Sequence, residues 1–316
     1  MTLELTRRDF LRVAGGAAAA ISVGRSGAAV AAQSEALRAH PLPPLAVFGK
    51  VYQELKLDFE PSARVTAAAG LDGVDCAVRK KGEIVPERAA EDMPRYAAAL
   101  GKHGLRMLLM TTDILGAHSP YAEEILAAGH KLGIRYYRLG YWSHRPEQPA
   151  RTLVAEIQAS LKDLAAINRQ TGMGALFQNH SSPGSRLNAP AGGDLDELYD
   201  IVKDFDPSQI AVAFDLGHAI ITHGDGWRER FERLKNHIRV VYVKDVRRPA
   251  KFVPFGDGEF SHTDFFALLK KIDYDAPMSI HIEYDWAPDG KKTEAAMIET
   301  LQRSRRAVAD WWQHAT

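Results

Sequence analysis

The feature that most constrains the fold of this chain is a repeated alternation between short β-branched segments and longer segments with helical spacing. The alternation begins after the proline-rich stretch at residues 40–44 and continues almost to the C-terminus. Short apolar runs are typical of buried strands, and apolar residues three and four positions apart are typical of amphipathic helices. Eight strands are predicted, near Ala46–Val51, Gly73–Ala77, Arg106–Met110, Tyr136–Leu139, Ala175–Gln178, Ala211–Asp215, Val240–Lys244 and Ser279–Glu283.

Helices are predicted in the segments between these strands. One of them has Leu153, Ile157, Leu161 and Leu164 on a single face. A series of eight strands separated by helices forms either a closed (β/α)8 barrel or an open doubly wound sheet. The predicted helices lie at Ala90–His103, Tyr121–Leu132, Leu153–Thr171, Leu195–Phe205, Trp227–Lys235, His262–Lys271 and Thr293–Trp312.

Two observations favour the barrel. None of the predicted strands is followed by the G-x-G-x-x-G turn that an open nucleotide-binding sheet usually shows. Polar or ionisable residues also follow several different strands, and the carboxyl ends of barrel strands meet at one face, where such residues converge. The sequence therefore predicts an α/β fold, a single (β/α)8 TIM barrel over residues 46–316.

The N-terminal segment is a different kind of sequence. Arg7 and Arg8 precede Phe10 and Leu11, and a weakly apolar stretch rich in alanine and glycine follows and ends near Ala32. This order is typical of an export signal of the twin-arginine type. We therefore expect a signal peptide at residues 1–32, a linker at residues 33–45 and a periplasmic location.

Charge and cysteine content exclude several classes of protein. The chain has 40 Lys plus Arg and 40 Asp plus Glu residues, whereas a protein that binds nucleic acid through a basic surface carries an excess of positive charge. No apolar run after the N-terminus is long enough to cross a bilayer. We therefore expect neither a nucleic-acid partner nor a membrane association after signal cleavage. The single cysteine, Cys76, precludes an internal disulfide and a cysteine-based zinc cluster.

Two acidic residues stand at the ends of predicted strands. Glu283 follows an apolar run, where a carboxylate is costly unless a cation or hydrogen bonds compensate it; a salt bridge at the rim is the alternative. Asp215 is followed by Gly217, which lets the chain turn sharply so that His218 folds back over the strand end. Asp215 could also cap a helix, but that role does not account for His218.

Two further groups of polar residues follow strands. Gln178, Asn179 and His180 offer ligands for Mn²⁺ or Mg²⁺ or hydrogen-bond partners for sugar hydroxyls; a polar loop with an Asx turn is the alternative. Lys244 and Asp245 are expected to pair, and a purely structural role for Asp245 stays equally open.

Three loop residues are candidates for contact with a substrate. His118 follows the third strand, and Trp142 and Trp286 follow the fourth and eighth. Aromatic faces in these loops could stack on a sugar ring or serve as packing anchors. The glycine-flanked loop at residues 254–260 is expected to border the mouth of the barrel.

These residues, in this order, resemble the xylose isomerase-like TIM-barrel superfamily, which includes ketose 3-epimerases, inosose dehydratase, hydroxypyruvate isomerase and endonuclease IV. The resemblance runs from about Val47 to Trp311. It is carried by Asn-His after strand five, Phe-Asp-Leu-Gly-His after strand six, Val-Lys-Asp at strand seven, Pro-Phe-Gly-Asp-Gly-Glu in the next loop and Glu at strand eight.

The resemblance implies one divalent metal ion held by Glu, Asp, His and Glu at the ends of strands five to eight. Asp215 and Glu283 match two of these positions, while Gln178 stands for the first glutamate and Tyr242 for the histidine. We therefore expect one Mn²⁺ or Mg²⁺ ion, with Zn²⁺ or Co²⁺ as alternatives, held by Gln178, Asp215, Glu283 and Tyr242. His180 or His218 could fill the gap left by the two replacements.

The resemblance further implies proton abstraction next to a carbonyl of a sugar or keto-sugar, as in isomerases and epimerases. The expected catalytic residues are Glu283, His218 and Lys244, and we expect substrate contacts at His118, Asn179, His180, Trp142 and Trp286. Gln178 removes one of the family's two bases, so one-base chemistry by an isomerase, or by a lyase or dehydratase acting on a keto-glycoside or sugar, stays open. A degenerate sugar-binding barrel is a further alternative, and a homo-oligomer is left open. Endonuclease IV chemistry is disfavoured by the neutral charge.

Overall fold

Eight parallel strands close into a barrel in the computed structural model, which describes residues 40–181 and 189–316. The predicted export signal and most of the predicted linker lie outside the described residues. Around the barrel the strands follow the order β1-β2-β3-β4-β5-β6-β7-β10, and β10 pairs with β1 to close it. The barrel strands are β1 (Leu45–Phe48), β2 (Gly73–Val78), β3 (Arg106–Thr112), β4 (Tyr136–Arg138), β5 (Gly174–Gln178), β6 (Ile210–Asp215), β7 (Ile238–Val243) and β10 (Met278–Ile280).

Helices follow the strands and cover the outside of the barrel. A two-stranded antiparallel hairpin, β8 (Val246–Arg247) and β9 (Lys251–Phe252), extends from the end of β7. Short 3-10 helices lie at Pro86–Arg88, Gly224–Gly226, Lys235–His237 and Phe260–His262. The α-helices are α1 (Lys50–Leu55), α2 (Phe59–Ala68), α3 (Ala89–Gly101), α4 (Ala122–Lys131), α5 (Ala150–Thr171), α6 (Leu195–Val202), α7 (Leu216–His223), α8 (Trp227–Leu234), α9 (Phe265–Lys271) and α10 (Glu294–His314).

The hydrophobic core has two layers because successive side chains of a strand point to opposite faces. In β5, Leu176 belongs to the cluster inside the barrel, and its neighbour Phe177 packs in the layer between the strands and the helices. Val240 and Tyr242 of β7 also belong to the inner cluster. Side chains therefore fill the barrel below the ends of the strands, as is usual for this fold.

The predicted barrel is confirmed, and the differences concern the ends of elements and some short elements that were not predicted. The first strand ends at Phe48 and Lys50–Leu55 is a helix, so the predicted strand at Ala46–Val51 is too long. The last barrel strand ends at Ile280, which places Glu283 three residues beyond it. Helices α2 and α7 were not predicted. No helix in the described part of the chain is long and apolar enough to span a bilayer.

Candidate functional site

The ends of β5 and β6 are joined by paired hydrogen bonds between Asn179 and Asp215. The Asn179 side chain donates from Nδ2 to the main-chain oxygen of Asp215 at 2.8 Å and accepts from the Asp215 amide at 2.8 Å. The Asp215 carboxylate also caps α7, because its Oδ1 accepts from the amide of His218 at 3.2 Å. Asp215 is therefore a helix cap, as one sequence interpretation allowed, and its Oδ2 remains directed toward other partners.

The Lys244 ammonium lies at the centre of the site. Its Nζ is 2.9 Å from Asp215 Oδ2, 2.9 Å from Glu283 Oε1 and 3.1 Å from His218 Nε2. An ammonium has three N–H donors and no acceptor, so these three contacts use all of them. The lysine side chain is only 1% exposed and that of Asp215 is fully buried, so this is a desolvated ion cluster at the strand ends.

The charges of the cluster stabilise one another. Burial by itself would lower the pKa of Lys244, but Asp215 and Glu283 outweigh it and raise that pKa. Burial would likewise raise the pKa of Glu283, but Lys244, together with His281 and His218, outweighs burial and holds that pKa far below its ordinary value. Burial and the Lys244 charge together depress the pKa of His218. At neutral pH the cluster therefore contains one ammonium, ionised Glu283 and a neutral imidazole.

His180 is a second neutral imidazole at the edge of this cluster. Its Nδ1 lies 3.0 Å from the main-chain oxygen of Ser181, which can only accept, so Nδ1 carries the proton and Nε2 is the unprotonated nitrogen. The ring lies 4.0 Å from the His218 ring, centroid to centroid. Burial and the Lys244 charge lower the pKa of His180, while the residue stays partly exposed. His180 is therefore suited to accept a proton at Nε2.

Gln178 is oriented by its two neighbours. Its Nε2 donates to Asp215 Oδ2 at 3.0 Å, and its Oε1 accepts from the Tyr141 hydroxyl at 2.6 Å. The reverse amide orientation would place an amide oxygen against the carboxylate, so the hydrogen bonds fix the assignment. The Arg138 guanidinium lies over the Tyr141 ring at 4.5 Å. Tyr141 was not predicted as a site residue, although an aromatic residue three positions after the fourth strand was the available signal.

A buried acid below the cluster was also missed. Asp75 of β2 is fully buried and accepts from Thr111 Oγ1 and Ser279 Oγ, both at 2.9 Å. Burial raises the pKa of Asp75 to about 6. Its signal was an acidic residue in the middle of an otherwise apolar strand, which is costly without partners.

Tyr242, which the resemblance placed among the metal ligands, is fully buried inside the barrel. Its ring lies 4.4 Å from that of His281. Burial raises the pKa of the Tyr242 hydroxyl well above its ordinary value, so the residue is a neutral phenol and does not offer the phenolate that would favour a metal ion.

The other predicted contact residues lie apart from the cluster or have partners of their own. His118 is exposed on a turn, and Trp142 stacks on Phe177 at 5.4 Å between centroids. The Trp286 indole donates to Glu54 at 3.0 Å. The structure thus favours the packing interpretation that the sequence left open for the two tryptophans.

The predicted pair of Lys244 and Asp245 is wrong, because Lys244 points to Asp215 and Glu283 instead. The Asp245 carboxylate accepts from four main-chain amides that belong to the following hairpin and loop. These amides are those of Val246 at 2.9 Å, Gly256 at 2.9 Å, Gly258 at 3.0 Å and Phe260 at 3.1 Å. Asp245 therefore has the structural role, and it holds the loop at residues 254–260.

The donors at the strand ends do not fit a divalent metal ion. The position between Asp215 and Glu283 holds the Lys244 ammonium, and Gln178 directs its NH₂ group, which cannot coordinate a cation, at the same carboxylate. Over the described ranges, no group of three or more His, Cys, Asp and Glu side chains is arranged to hold a metal ion.

The comparisons with known proteins cover most of the barrel. The family described as xylose isomerase-like TIM barrel matches residues 63–306. No curated protein sequence matches the chain.

Three solved structures illustrate the likeness of the fold. D-psicose 3-epimerase in the presence of D-fructose is 15% identical, with a TM-score of 0.60 over 84% of this chain and 97% of its own. The 3-keto-D-glucoside 4-epimerase of E. coli is 14% identical, with a TM-score of 0.60 over 82% and 99%. The IolI protein with a bound zinc atom is 14% identical, with a TM-score of 0.65 over 86% and 99%. At these identities the likeness is one of fold.

Proposed function

We propose that this chain, which belongs to the xylose isomerase-like TIM barrel family, is an enzyme of the sugar isomerase type. It would act on a small sugar or keto-sugar by moving a proton next to a carbonyl. The observation that carries the proposal is the convergence, at the ends of four strands, of a buried ammonium, two carboxylates and two neutral imidazoles. Ion clusters of this kind are costly in a barrel core and are typical of active sites.

His180 is the residue we assign to proton abstraction. Its unprotonated Nε2 and partial exposure suit a base, whereas the pKa of Glu283 is held so low that its carboxylate is a weak proton acceptor. The base takes the proton from the carbon next to the carbonyl, the C–H electron pair forms the C=C bond of an enediolate, and the carbonyl oxygen gains the negative charge. The positive charge of Lys244 stabilises that oxygen electrostatically.

Return of the proton to the adjacent carbon, with transfer of a hydroxyl proton in the opposite sense, completes an isomerisation. Because a single base serves both steps, the proton is delivered to the face from which it was removed. Inversion at one carbon, as in an epimerase with a base on each face, is therefore disfavoured, since Gln178 cannot act as the second base.

A lyase or dehydratase is the second candidate, and the presence of Gln178 in place of a second carboxylate favours it. From the same enediolate, the electron pair can expel an oxygen substituent on the neighbouring carbon as water or as an alcohol. Elimination needs only one base to remove the carbon-bound proton, and the proton that it holds can then pass to the leaving oxygen.

The experiment uses the purified chain with a panel of keto-sugars and glycosides in D₂O, analysed by mass spectrometry and proton NMR. An isomerase incorporates deuterium next to the carbonyl and keeps the carbon skeleton, whereas a lyase or dehydratase gives products that have lost the expelled group. In His180→Gln we expect at least a roughly 100-fold loss of the deuterium exchange rate. His130→Gln, which replaces an exposed histidine of α4, is the matched control and should exchange at the unsubstituted rate.

Two results would count against the proposal. Saturable sugar binding without any deuterium exchange would identify a sugar-binding barrel instead of an enzyme. Equal exchange rates in His180→Gln and His130→Gln would remove His180 as the base.

A further inference from the structure

Three potential metal-ligand atoms surround the Lys244 ammonium. Two are carboxylate oxygens of Asp215 and Glu283, and the third is the unprotonated Nε2 of His218. Because the ammonium can only donate, His218 Nε2 is the acceptor, and Nδ1 carries the proton and donates to the Ser181 hydroxyl 2.7 Å away. Carboxylate and imidazole are the donors that divalent metals prefer in proteins, and here each of them contacts an N–H of the ammonium.

The surroundings of Lys244 are shaped to hold its side chain. A Cβ atom at Gly217 would lie 2.7 Å from Lys244 Cγ and 3.2 Å from its main-chain oxygen, so only glycine leaves room for the lysine stem at this turn. The Phe252 ring lies 5.2 Å from Nζ, within reach of a cation–π interaction. The site therefore accommodates an ammonium by shape, by charge and by hydrogen-bond count.

We propose that the Lys244 ammonium is the resident cation of this site and stands in the place that a divalent metal ion would take between Asp215 and Glu283. The two other positions that the resemblance assigns to metal ligands also hold residues that are poorly suited to bind a metal ion. Gln178 directs an NH₂ group at Asp215, and Tyr242 is a buried phenol. A single substitution would only weaken a metal site. The change of both positions is explained if the lysine supplies the positive charge, because the site then needs no full set of metal ligands.

The Lys244 ammonium and a divalent metal ion differ in charge and in the number of partners that they can bind. A divalent metal ion keeps an open position for a substrate oxygen, whereas all three N–H groups of Lys244 already have protein acceptors. Lys244 therefore influences a substrate through its charge, or a substrate oxygen must displace one of the three acceptors. Of these, Glu283 has the greatest exposed fraction, 21% of its side chain.

The test measures metal binding directly and needs no substrate, so its failure and the failure of the proposed function are distinguishable. The purified chain is dialysed against Mn²⁺, and bound metal is counted by elemental analysis. Its melting temperature is then followed with Mn²⁺ and with EDTA. The same measurements are made on Lys244→Ala, and on Lys271→Ala as a matched control at an exposed lysine of α9.

The unsubstituted chain and Lys271→Ala are expected to hold well under one Mn²⁺ per chain, with melting temperatures that respond to neither Mn²⁺ nor EDTA. In Lys244→Ala, the loss of a like charge within a few ångströms should strengthen Mn²⁺ binding by about tenfold or more and make the melting temperature rise with Mn²⁺.

One tightly bound equivalent of Mn²⁺ in the unsubstituted chain, lost to EDTA together with thermal stability, would overturn the proposal, and that result does not depend on any variant. Unchanged Mn²⁺ affinity in a folded Lys244→Ala would also overturn it. If Lys244→Ala does not fold, Lys244→Met keeps most of the stem that packs against Gly217 and is measured in its place.

Discussion

Replacement of Lys244 by methionine removes the charge at the centre of the ion cluster and keeps most of the apolar stem. At 2.9 Å and an effective dielectric constant of about 20, each of the two carboxylate contacts corresponds to about 6 kcal/mol of attraction. Desolvation of the three ions offsets much of this sum. Since removal of one partner leaves uncompensated buried charge, we expect Lys244→Met to lower the free energy of unfolding by about 3–5 kcal/mol at pH 7.

The loss of unfolding free energy in Lys244→Met should be smaller at acidic pH. In the unsubstituted chain the pKa of Glu283 is depressed, so its contribution is complete above the ordinary carboxyl pKa and declines as the pH falls. In Lys244→Met, burial without the cation raises the pKa of the same carboxyl, and the variant becomes relatively more stable on acidification. The difference in stability between the two proteins should therefore shrink from pH 7 toward pH 4.

Urea denaturation at several pH values, followed by circular dichroism, measures both quantities. Lys271→Met, at an exposed position, should differ from the unsubstituted chain by no more than about 0.5 kcal/mol. A Lys244→Met variant within 1 kcal/mol of the unsubstituted chain at pH 7 would refute the ion cluster, and so would a difference that grows on acidification.

Three other predictions follow from single features. Asp75→Asn should remove one pH dependence of the free energy of unfolding. The pKa of Asp75 in the folded protein is about 6, above the ordinary 3.8. As the pH rises from about 4 to about 6, the unsubstituted chain should therefore lose about 3 kcal/mol of unfolding free energy relative to the variant. The same difference in unfolding free energy between the two proteins at pH 4 and at pH 7, measured by denaturation, would contradict this. Gly217→Ala should cost about 1–3 kcal/mol, since the added Cβ meets the Lys244 stem at 2.7 Å; an unchanged melting temperature would speak against that packing. Joint replacement of Arg7 and Arg8 by lysine should abolish export of the full-length chain, and cell fractionation that still recovers the variant from the periplasm would remove the predicted signal.

The barrel could be predicted because its strands are short apolar runs that alternate with amphipathic helices, a pattern that local sequence carries. The same holds for Asp215 and Glu283, because an acidic residue at the end of an apolar run is conspicuous. The polar strand ends were correctly expected to converge, since the fold directs them all to one face.

The partners of individual side chains could not be predicted in the same way. Lys244 was paired with its neighbour Asp245, but adjacent residues of an extended segment point to opposite sides, so the lysine meets partners from two other strand ends. Asp75 was missed because its hydroxyl partners, Thr111 and Ser279, come from two other strands, β3 and β10. Such contacts depend on register and side-chain direction, which a pattern of apolar residues does not contain.

The way in which Asp245 binds the neighbouring loop determines how that loop can change. Its carboxylate contacts only main-chain amides, and every residue type except proline supplies one. The side chains of Asp257 and Glu259 can therefore be exchanged while the backbone keeps its path, whereas Phe255 and Phe260 are buried in the hydrophobic core. Two glycines are also constrained: Gly256 has a φ of +93°, and a Cβ at Gly258 would lie 2.2 Å from Asp245 Oδ1. The loop can thus carry different exposed side chains on an unchanged backbone.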